Sequence, residues 1–264
     1  MDLGLNGKNA VVTGSTAGIG LAIAEALAAE GAAVVVNGRT EARVAAAIES
    51  IGKRRSGAKV RGVAADLGTA KGAADFARAV PETDVLVNNL GIYQAKPFAE
   101  ITDADWLHLF EVNVMSGVRL ARQYLPGMLR KNWGRIIFIS SESGQHIPAE
   151  MIHYGTTKTA QIAVARGLAE SVAGTGVTVN SILAGPTASE GVGNFVADLA
   201  RQRGTSAAEV EKEFFQSVRP TSLLRRFETP EEVAAVVAFV AGAESVAING
   251  AAVRAEGGVV RSIL

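Results

Sequence analysis

Apolar residues come along this chain in short runs separated by amphipathic stretches, and the alternation repeats from end to end. Asn9 to Thr13 is a short apolar run that stops at a glycine turn, the mark of a buried strand. Ile19, Ile23, Ala24 and Leu27 then fall at helical spacing, and Gly31 ends the helix that they predict over Ile19 to Glu30. Ala33 to Val36 supplies the next strand and closes one βαβ unit. The same rhythm predicts a helix over Glu41 to Ile51, a strand over Lys59 to Val63, a helix over Lys71 to Ala79 and a strand over Asp84 to Val87.

The second half keeps this order with longer helices. Thr102-Asp103-Ala104-Asp105 resembles a capping box with Asp in place of Glu and opens a helix running toward Tyr124, with Pro126 near its end. Arg135 to Ser140 is a β-branched strand. A helix from about Met151 to Val172 follows Pro148 and is ended by Gly174 and Gly176, and Val177 to Ile182 is the next strand. Thr229-Pro230-Glu231-Glu232 combines a capping Thr, a first-turn Pro and a Glu three positions after the cap, a strong helix start. Ala251 to Ala255 makes a last short strand. Strands alternating with helices predict an α/β fold, a parallel sheet covered on both faces with right-handed crossovers. No linker or repeat interrupts it, so one domain over 1–264 is expected. Residues 187–226 break the rhythm, being charged and more helical, and read as an insertion able to cap a pocket at the carboxyl ends of the strands.

Composition narrows the function classes. A formal charge of zero leaves no electrostatic footprint for nucleic acid or anionic lipid, and Lys53-Arg54-Arg55 reads as a solvated face. The absence of cysteine excludes disulfides and thiolate metal sites and suits a reducing cytoplasm. The N-terminus has neither the basic nor the apolar region of a secretory signal, and Val233 to Gly242 is too short to cross a membrane. A cytoplasmic protein without nucleic-acid or membrane partners is the expectation.

Candidate chemistry sits at two places. In the turn Thr13-Gly14-Ser15-Thr16-Ala17-Gly18-Ile19-Gly20, three glycines follow a strand and open a helix, whose amides and positive end face an anion such as a dinucleotide pyrophosphate. The spacing differs from the general G-x-G-x-x-G fingerprint, and a ligand-free βα turn would look similar. At the end of the second strand Asn37-Gly38-Arg39-Thr40 carries no carboxylate for a ribose hydroxyl, while Arg39 can fork onto a 2′-phosphate. NADP(H) is therefore favoured over NAD(H). Asp66, with Leu67 after it, either accepts from an adenine amino group or caps a helix. Far downstream, Ser141, Tyr154 and Lys158 supply a hydroxyl to hold a carbonyl oxygen, a phenol to move a proton, and a cation to lower the phenol pKa from about 10. Tyr154 and Lys158, four apart, share a helix face. Packing, capping and surface roles are the alternative for each of the three.

Together these residues resemble the short-chain dehydrogenase/reductase family. The likeness spans nearly the whole chain through Thr13 to Gly20, Asp66-Leu67, Asn88-Asn89-Leu90-Gly91, Asn113, Ser141, Tyr154, Lys158, Ala184-Gly185-Pro186-Thr187 and Glu256-Gly257-Gly258. It implies a seven-stranded Rossmann-type domain and an Asn113-Ser141-Tyr154-Lys158 tetrad, with Asn113 positioning a water that links Lys158 to solvent. It also implies a homodimer or homotetramer built on the helices around Asn113 and Lys158. Asn89, Gly91 and Gly185 join the expected cofactor wall, with Thr187 and Ser189 as donors toward the nicotinamide carboxamide. Leu90 replaces the usual Ala of Asn-Asn-Ala-Gly, and Ala184-Gly185 the usual Pro-Gly.

The expected activity is an NADP(H)-dependent interconversion of a carbonyl and a secondary alcohol, with 3-oxoacyl-carrier-protein reductase as the best-known relative. For a carrier, Arg130 and Lys131 are candidate contacts or simply a solvated helix end. His146, Glu142, Gln145 and Met151 are candidate substrate contacts, and Phe195, Phe214 and Phe215 either line the insertion or pack its helices. No metal site is expected. A redox sensor without turnover and a non-redox lyase are the alternatives. An intact tetrad argues against the first and an intact glycine turn against the second.

Overall fold

The computed structural model describes residues 1–263, without the side-chain surroundings of Glu190, Gly191, Asn194, Phe195 and Asp198. Seven parallel strands form one sheet in the order β3-β2-β1-β4-β5-β6-β7. They are β1 (Asn9–Val12), β2 (Ala33–Gly38), β3 (Val60–Ala64), β4 (Val85–Asn88), β5 (Gly134–Ser141), β6 (Val177–Ala184) and β7 (Ala252–Ala255). The helices are α1 (Gly18–Ala29), α2 (Glu41–Arg54), α3 (Ala70–Ala79), α4 (Asp103–Phe110), α5 (Ser116–Lys131), α6 (Ile152–Ser171), α7 (Glu190–Arg203), α8 (Ala207–Glu213) and α9 (Pro230–Ala241). This is the parallel sheet that the alternation predicts and the seven-stranded, doubly wound Rossmann-type domain that the resemblance implies.

Alternate residues of the strands go to opposite faces, and both faces are covered. Val12, Val87, Ile137 and Ile139 join Ile23 and Leu27 of α1 and Val233 and Val237 of α9 in one buried cluster. Val11, Leu86, Ile136 and Phe138 join Phe76 of α3, Leu120 and Tyr124 of α5 and Ala165 of α6 in the other. Burial of each such side chain stabilises by roughly 1.5–3 kcal/mol, which holds the sheet as a rigid floor. β1 pairs with β2 on one side and β4 on the other. The chain therefore reverses its winding there, and a crevice opens at the carboxyl ends of β1 and β4. The predicted capping boxes form at Thr102–Asp105 and Thr229–Glu232.

Three expectations change. The single helix expected from Asp103 toward Tyr124 is two, α4 and α5, joined by a wider π-helical turn over Glu111–Met115. Pro126 lies inside α5, which runs on to Lys131 and ends at Asn132 in the left-handed region; burial of Tyr124 and Met128 offsets the donor that the proline lacks. Lys131 is paired with Glu82 at 3.1 Å and Asp84 at 3.2 Å, beside the start of β4. It sits at the amino ends of the strands, away from the crevice, where it pairs the end of α5 with the start of β4. The expected helical insertion holds α7, α8 and a second π-helical turn, Phe214–Val218. Phe214 and Phe215 cluster with Phe227 at centroid distances of 5.0–5.1 Å and pack these helices together. Phe195 lies outside the described residues. Among the described residues no helix is long and apolar enough to cross a membrane.

Candidate active site

The crevice gathers the ends of β1, β4, β5 and β6, which together with the ends of β2 and β3 carry every predicted cofactor and tetrad position except Asn113, Tyr154 and Lys158. Those three come from the π-helical turn and α6, which lie over it.

At β1, Gly14 has φ +58°, and a side chain on it would come 3.1 Å from the Leu90 Cα. A side chain at Gly20 would run into the Asn89 amide and lie 2.5 Å from the Gly14 carbonyl. The turn therefore depends on these glycines. Ala17 takes the cap position of α1 in extended conformation and has no polar side chain to cap it, so the positive helix end has no side-chain cap. A Cβ on Gly18 would come 3.3 Å from the Ser189 Cβ, so the loop after β6 closes over the turn from the opposite side. Thr16 packs its methyl on Gly38 at the end of β2, next to Arg39. Arg39 is exposed and makes no ion pair or hydrogen bond with the described residues.

Many side chains predicted to touch the cofactor are already engaged. The Ser15 hydroxyl donates to the Val12 carbonyl at 2.6 Å and accepts from the Asn37 amide. Asn89 donates to the carbonyls of Thr13 and Gly14, both at 3.0 Å. Asp66 accepts from the Gly68 amide, Thr187 donates to the Gly185 carbonyl, and Ser189 caps α7. Leu67 is buried core, and Ile19 packs against the core under α1. What these positions offer a ligand is backbone and shape. Asn37, invisible as a site residue in the sequence, is the clamp. It accepts from the Gly14 amide and donates to the carbonyls of Val63 and Ala65, tying β2, the turn and the end of β3.

The tetrad positions converge. Ser141 ends β5 and faces the Tyr154 phenol, close enough to lower its pKa. Lys158, 5% exposed, has its ammonium 5.6 Å from the Tyr154 ring centroid and donates to the Ile139 carbonyl at 2.8 Å. Tyr93 stands edge-on to Tyr154 at 6.2 Å. Gly91 faces both Lys158 and Asn113, 3.4 and 3.6 Å from where its Cβ would be. Burial pushes the Tyr154 phenol up to about 12, against the lowering effect of the Ser141 hydroxyl. The expected lowering by Lys158 is absent here. The lysine is itself pulled down to about 8 by burial, and its ammonium is held by Ile139.

Asn113 is buried in the π-helical turn. Its side chain accepts from the Ile92 amide at 2.8 Å and donates to the Ile92 carbonyl at 2.9 Å and to Thr157 at 3.0 Å. Its carbonyl accepts from Gln161 at 2.6 Å. The side chain thus braces the loop after β4 against α6. Gln161 and Thr157 are contributors that the sequence reading missed; Gln161 lies seven after Tyr154, which two helical turns bring to the same face. Of the histidines near Tyr154, His146 is exposed. His153 is buried edge-on to Trp106 at 5.9 Å with both ring nitrogens unpartnered.

The chain as a whole is similar to known proteins. A family model described as short chain dehydrogenase matches residues 8–200. The chain belongs to that family. It is an oxidoreductase family member, 48% identical to the uncharacterized oxidoreductase YvaG of Bacillus subtilis over 100% of both chains. It is 32% identical to the 3-oxoacyl-[acyl-carrier-protein] reductase FabG of Aquifex aeolicus, over 98% of this chain and 100% of that one. Among solved structures, the L-sorbose reductase of Gluconobacter frateurii, complexed with NADPH and L-sorbose, superposes with a TM-score of 0.91 at 32% identity, both chains fully covered.

Within this short-chain dehydrogenase two departures have structural consequences. Leu90 packs against the glycine turn, with Cδ1 3.4 Å from where a Gly14 Cβ would be, so the larger residue thickens the wall there. Gly185 donates to the Ala255 carbonyl at 3.0 Å and approaches Glu228 Oε2 at 3.3 Å, and a side chain on it would come 2.7 Å from the Glu256 Cα. Directly after Ser141 stands Glu142, one of the candidate substrate contacts, buried and ion-paired at 2.9 Å with Arg219 from the segment after α8.

Proposed function

We propose that this short-chain dehydrogenase interconverts a carbonyl and a secondary alcohol with NADP(H), with Tyr154 as the general acid/base. The observation that carries the reading is the convergence of Ser141, Tyr154 and Lys158 beside the uncapped start of α1. The uncapped helix end fits a pyrophosphate, and the crevice wall of backbone and glycine fits a flat ring pressed against it.

When bound, a reduced nicotinamide supplies the hydride. Ser141 donates to the substrate carbonyl oxygen and fixes it beside the Tyr154 hydroxyl. With its pKa at about 12, the phenol holds its proton at neutral pH and delivers it to the oxygen as charge develops there. Lys158, charged below about pH 8 and held by the Ile139 carbonyl, keeps a cation 5.6 Å from the phenol ring centroid. Asn113 and Gln161 keep α6 in register with the loop after β4, and so keep Lys158 in reach. In oxidation each proton moves the other way.

Preference for the phosphorylated dinucleotide rests on Arg39, which is exposed and unpaired among the described residues, and on Asn37, whose amide is spent where a ribose-binding carboxylate would stand. The NADPH complex of the L-sorbose reductase supports the same choice. The test is a titration with NADPH and NADH read as heat stabilisation of the protein. Tighter NADPH binding, reduced at least about tenfold in Arg39→Ala while NADH binding holds, is expected from the loss of a charged phosphate contact. Equal binding of both dinucleotides would refute the preference, and binding of neither would remove the redox reading.

A further inference from the structure

Glu142 and Arg219 form a charge pair that the proposed proton transfer does not use. They are 4% and 7% exposed. Arg219 Nε donates to Glu142 Oε1 at 2.9 Å, and the Ser143 hydroxyl donates to the same oxygen at 3.1 Å. Glu142 Oε2 is buried and has no partner. A carboxylate oxygen shut away from water without a donor is costly, and such an atom marks a place where a ligand donor is missing. Its position is specific. Glu142 directly follows Ser141, whose oxygen also caps the Ser143 amide at 3.1 Å, so the carboxylate and the carbonyl-holding hydroxyl belong to one tight turn. Glu142 and Arg219 both act on the Tyr154 phenol, the first raising its pKa and the second lowering it.

The sign of the local charge selects further. Arg219 also has Glu150 at 3.8 Å, so two carboxylates share one guanidinium and the cluster is net negative. A substrate carboxylate would be repelled there, whereas a neutral hydroxyl donates to an anionic acceptor in a strong, charge-assisted bond.

We infer that Glu142, held by Arg219, is a specificity-determining residue whose free oxygen accepts a hydrogen bond from a hydroxyl beside the reacting carbon, so that the substrates are neutral hydroxylated carbonyl compounds and their polyols. The assignment rests on the oxidoreductase reading and deepens it. Arg219 is a positioning residue, supplied by the same segment that was expected to cap the pocket.

The test compares matched pairs that differ by one hydroxyl, acetoin against butanone and dihydroxyacetone against acetone, with acetoacetate as the anionic control. The wild-type protein is expected to favour the hydroxylated member in kcat/KM by about ten- to a hundredfold, the discrimination of a site built around a charged hydrogen bond. Acetoacetate is expected to fall below both members. In Glu142→Gln the ratio should collapse toward one. Because that variant leaves Arg219 buried without its counter-charge, Glu142→Leu combined with Arg219→Met provides a second reading, since a buried pair replaced by apolar residues is commonly tolerated. It too should lose the preference.

A wild-type ratio near one, or a ratio that survives both substitutions, overturns the assignment. If no ketone turns over, the matched alcohols are compared by heat stabilisation. Stabilisation that needs the hydroxyl and Glu142 would keep the assignment while the redox reading falls, and equal stabilisation by both members would sink it.

Discussion

The Lys158 ammonium donates to the carbonyl of Ile139 at 2.8 Å, two residues before Ser141 on the same strand. One contact thereby fixes the middle of the sheet to the helix that carries Tyr154, and the cation is kept 5.6 Å from the phenol ring. The site is built from a central strand and a buried helix face. Positioning of this kind comes from packing and costs no reorganisation when substrate arrives.

Burial of the Lys158 cation has a thermodynamic signature. Its pKa falls from 10.5 to about 8, so the folded protein binds this proton less readily than the unfolded chain. The associated stability is fully present above pH 10.5 and is lost as pH falls through 8. Lys158→Met should therefore be more stable than wild type at pH 7, by up to about 3 kcal/mol, with the gain vanishing toward pH 10.5, and should lose turnover. Urea denaturation at several pH values checks this. Equal destabilisation at every pH would contradict it.

Glu228 gives a second, independent pH dependence. Burial, aided by the nearby carboxylates of Glu232 and Glu256, raises its pKa from 4.5 to about 7 despite the Gly185 amide. A raised carboxyl contributes stability that is present below pH 4.5 and lost as pH rises through 7. Glu228→Gln should remove that loss, stabilising the protein at pH 8 by an amount on the order of 2–3 kcal/mol and leaving it little changed at pH 4. Melting temperatures at the two pH values decide the matter.

Arg135 is expected to be a structural hot spot. It is 1% exposed and donates to the carbonyls of Gly134, Gly176 and Gly242 while stacking on Trp133 at 4.6 Å. Arg135→Met keeps the bulk and leaves those acceptors unpaired, which should cost about 2–4 kcal/mol, or roughly 5–15 °C in Tm. A calorimetric scan of the variant measures it, and a shift under one degree would show that the carbonyls find other donors.

The fold was legible because its signals are local. Apolar runs, glycine stops and the boxes at Thr102 and Thr229 each need only a few neighbouring residues, and outside the α4–α5 stretch the structure has these elements within three positions of where they are expected. The break at Glu111–Met115 was not, because helical spacing continues on both sides of it and the widening is set by Asn113 reaching Ile92 and Thr157. At the site, the residues singled out from the sequence come together around one crevice, yet which side chains remain free depends on partners far along the chain. Asn89 is consumed by the glycine turn and Asn37 by β3, and Arg219 reaches Glu142 across 77 residues. Buried polar side chains choose partners in three dimensions, and spacing does not encode that choice.

The central claim is that Tyr154 moves the proton. Its most direct test is turnover of a carbonyl panel with NADPH by wild-type protein and Tyr154→Phe, with dinucleotide affinity measured on the same samples. Tyr154→Phe is expected to lose at least about a hundredfold in kcat, the usual worth of a positioned acid, with NADPH affinity unchanged within about threefold. Retained turnover in Tyr154→Phe would take the phenol out of the mechanism and contradict the account.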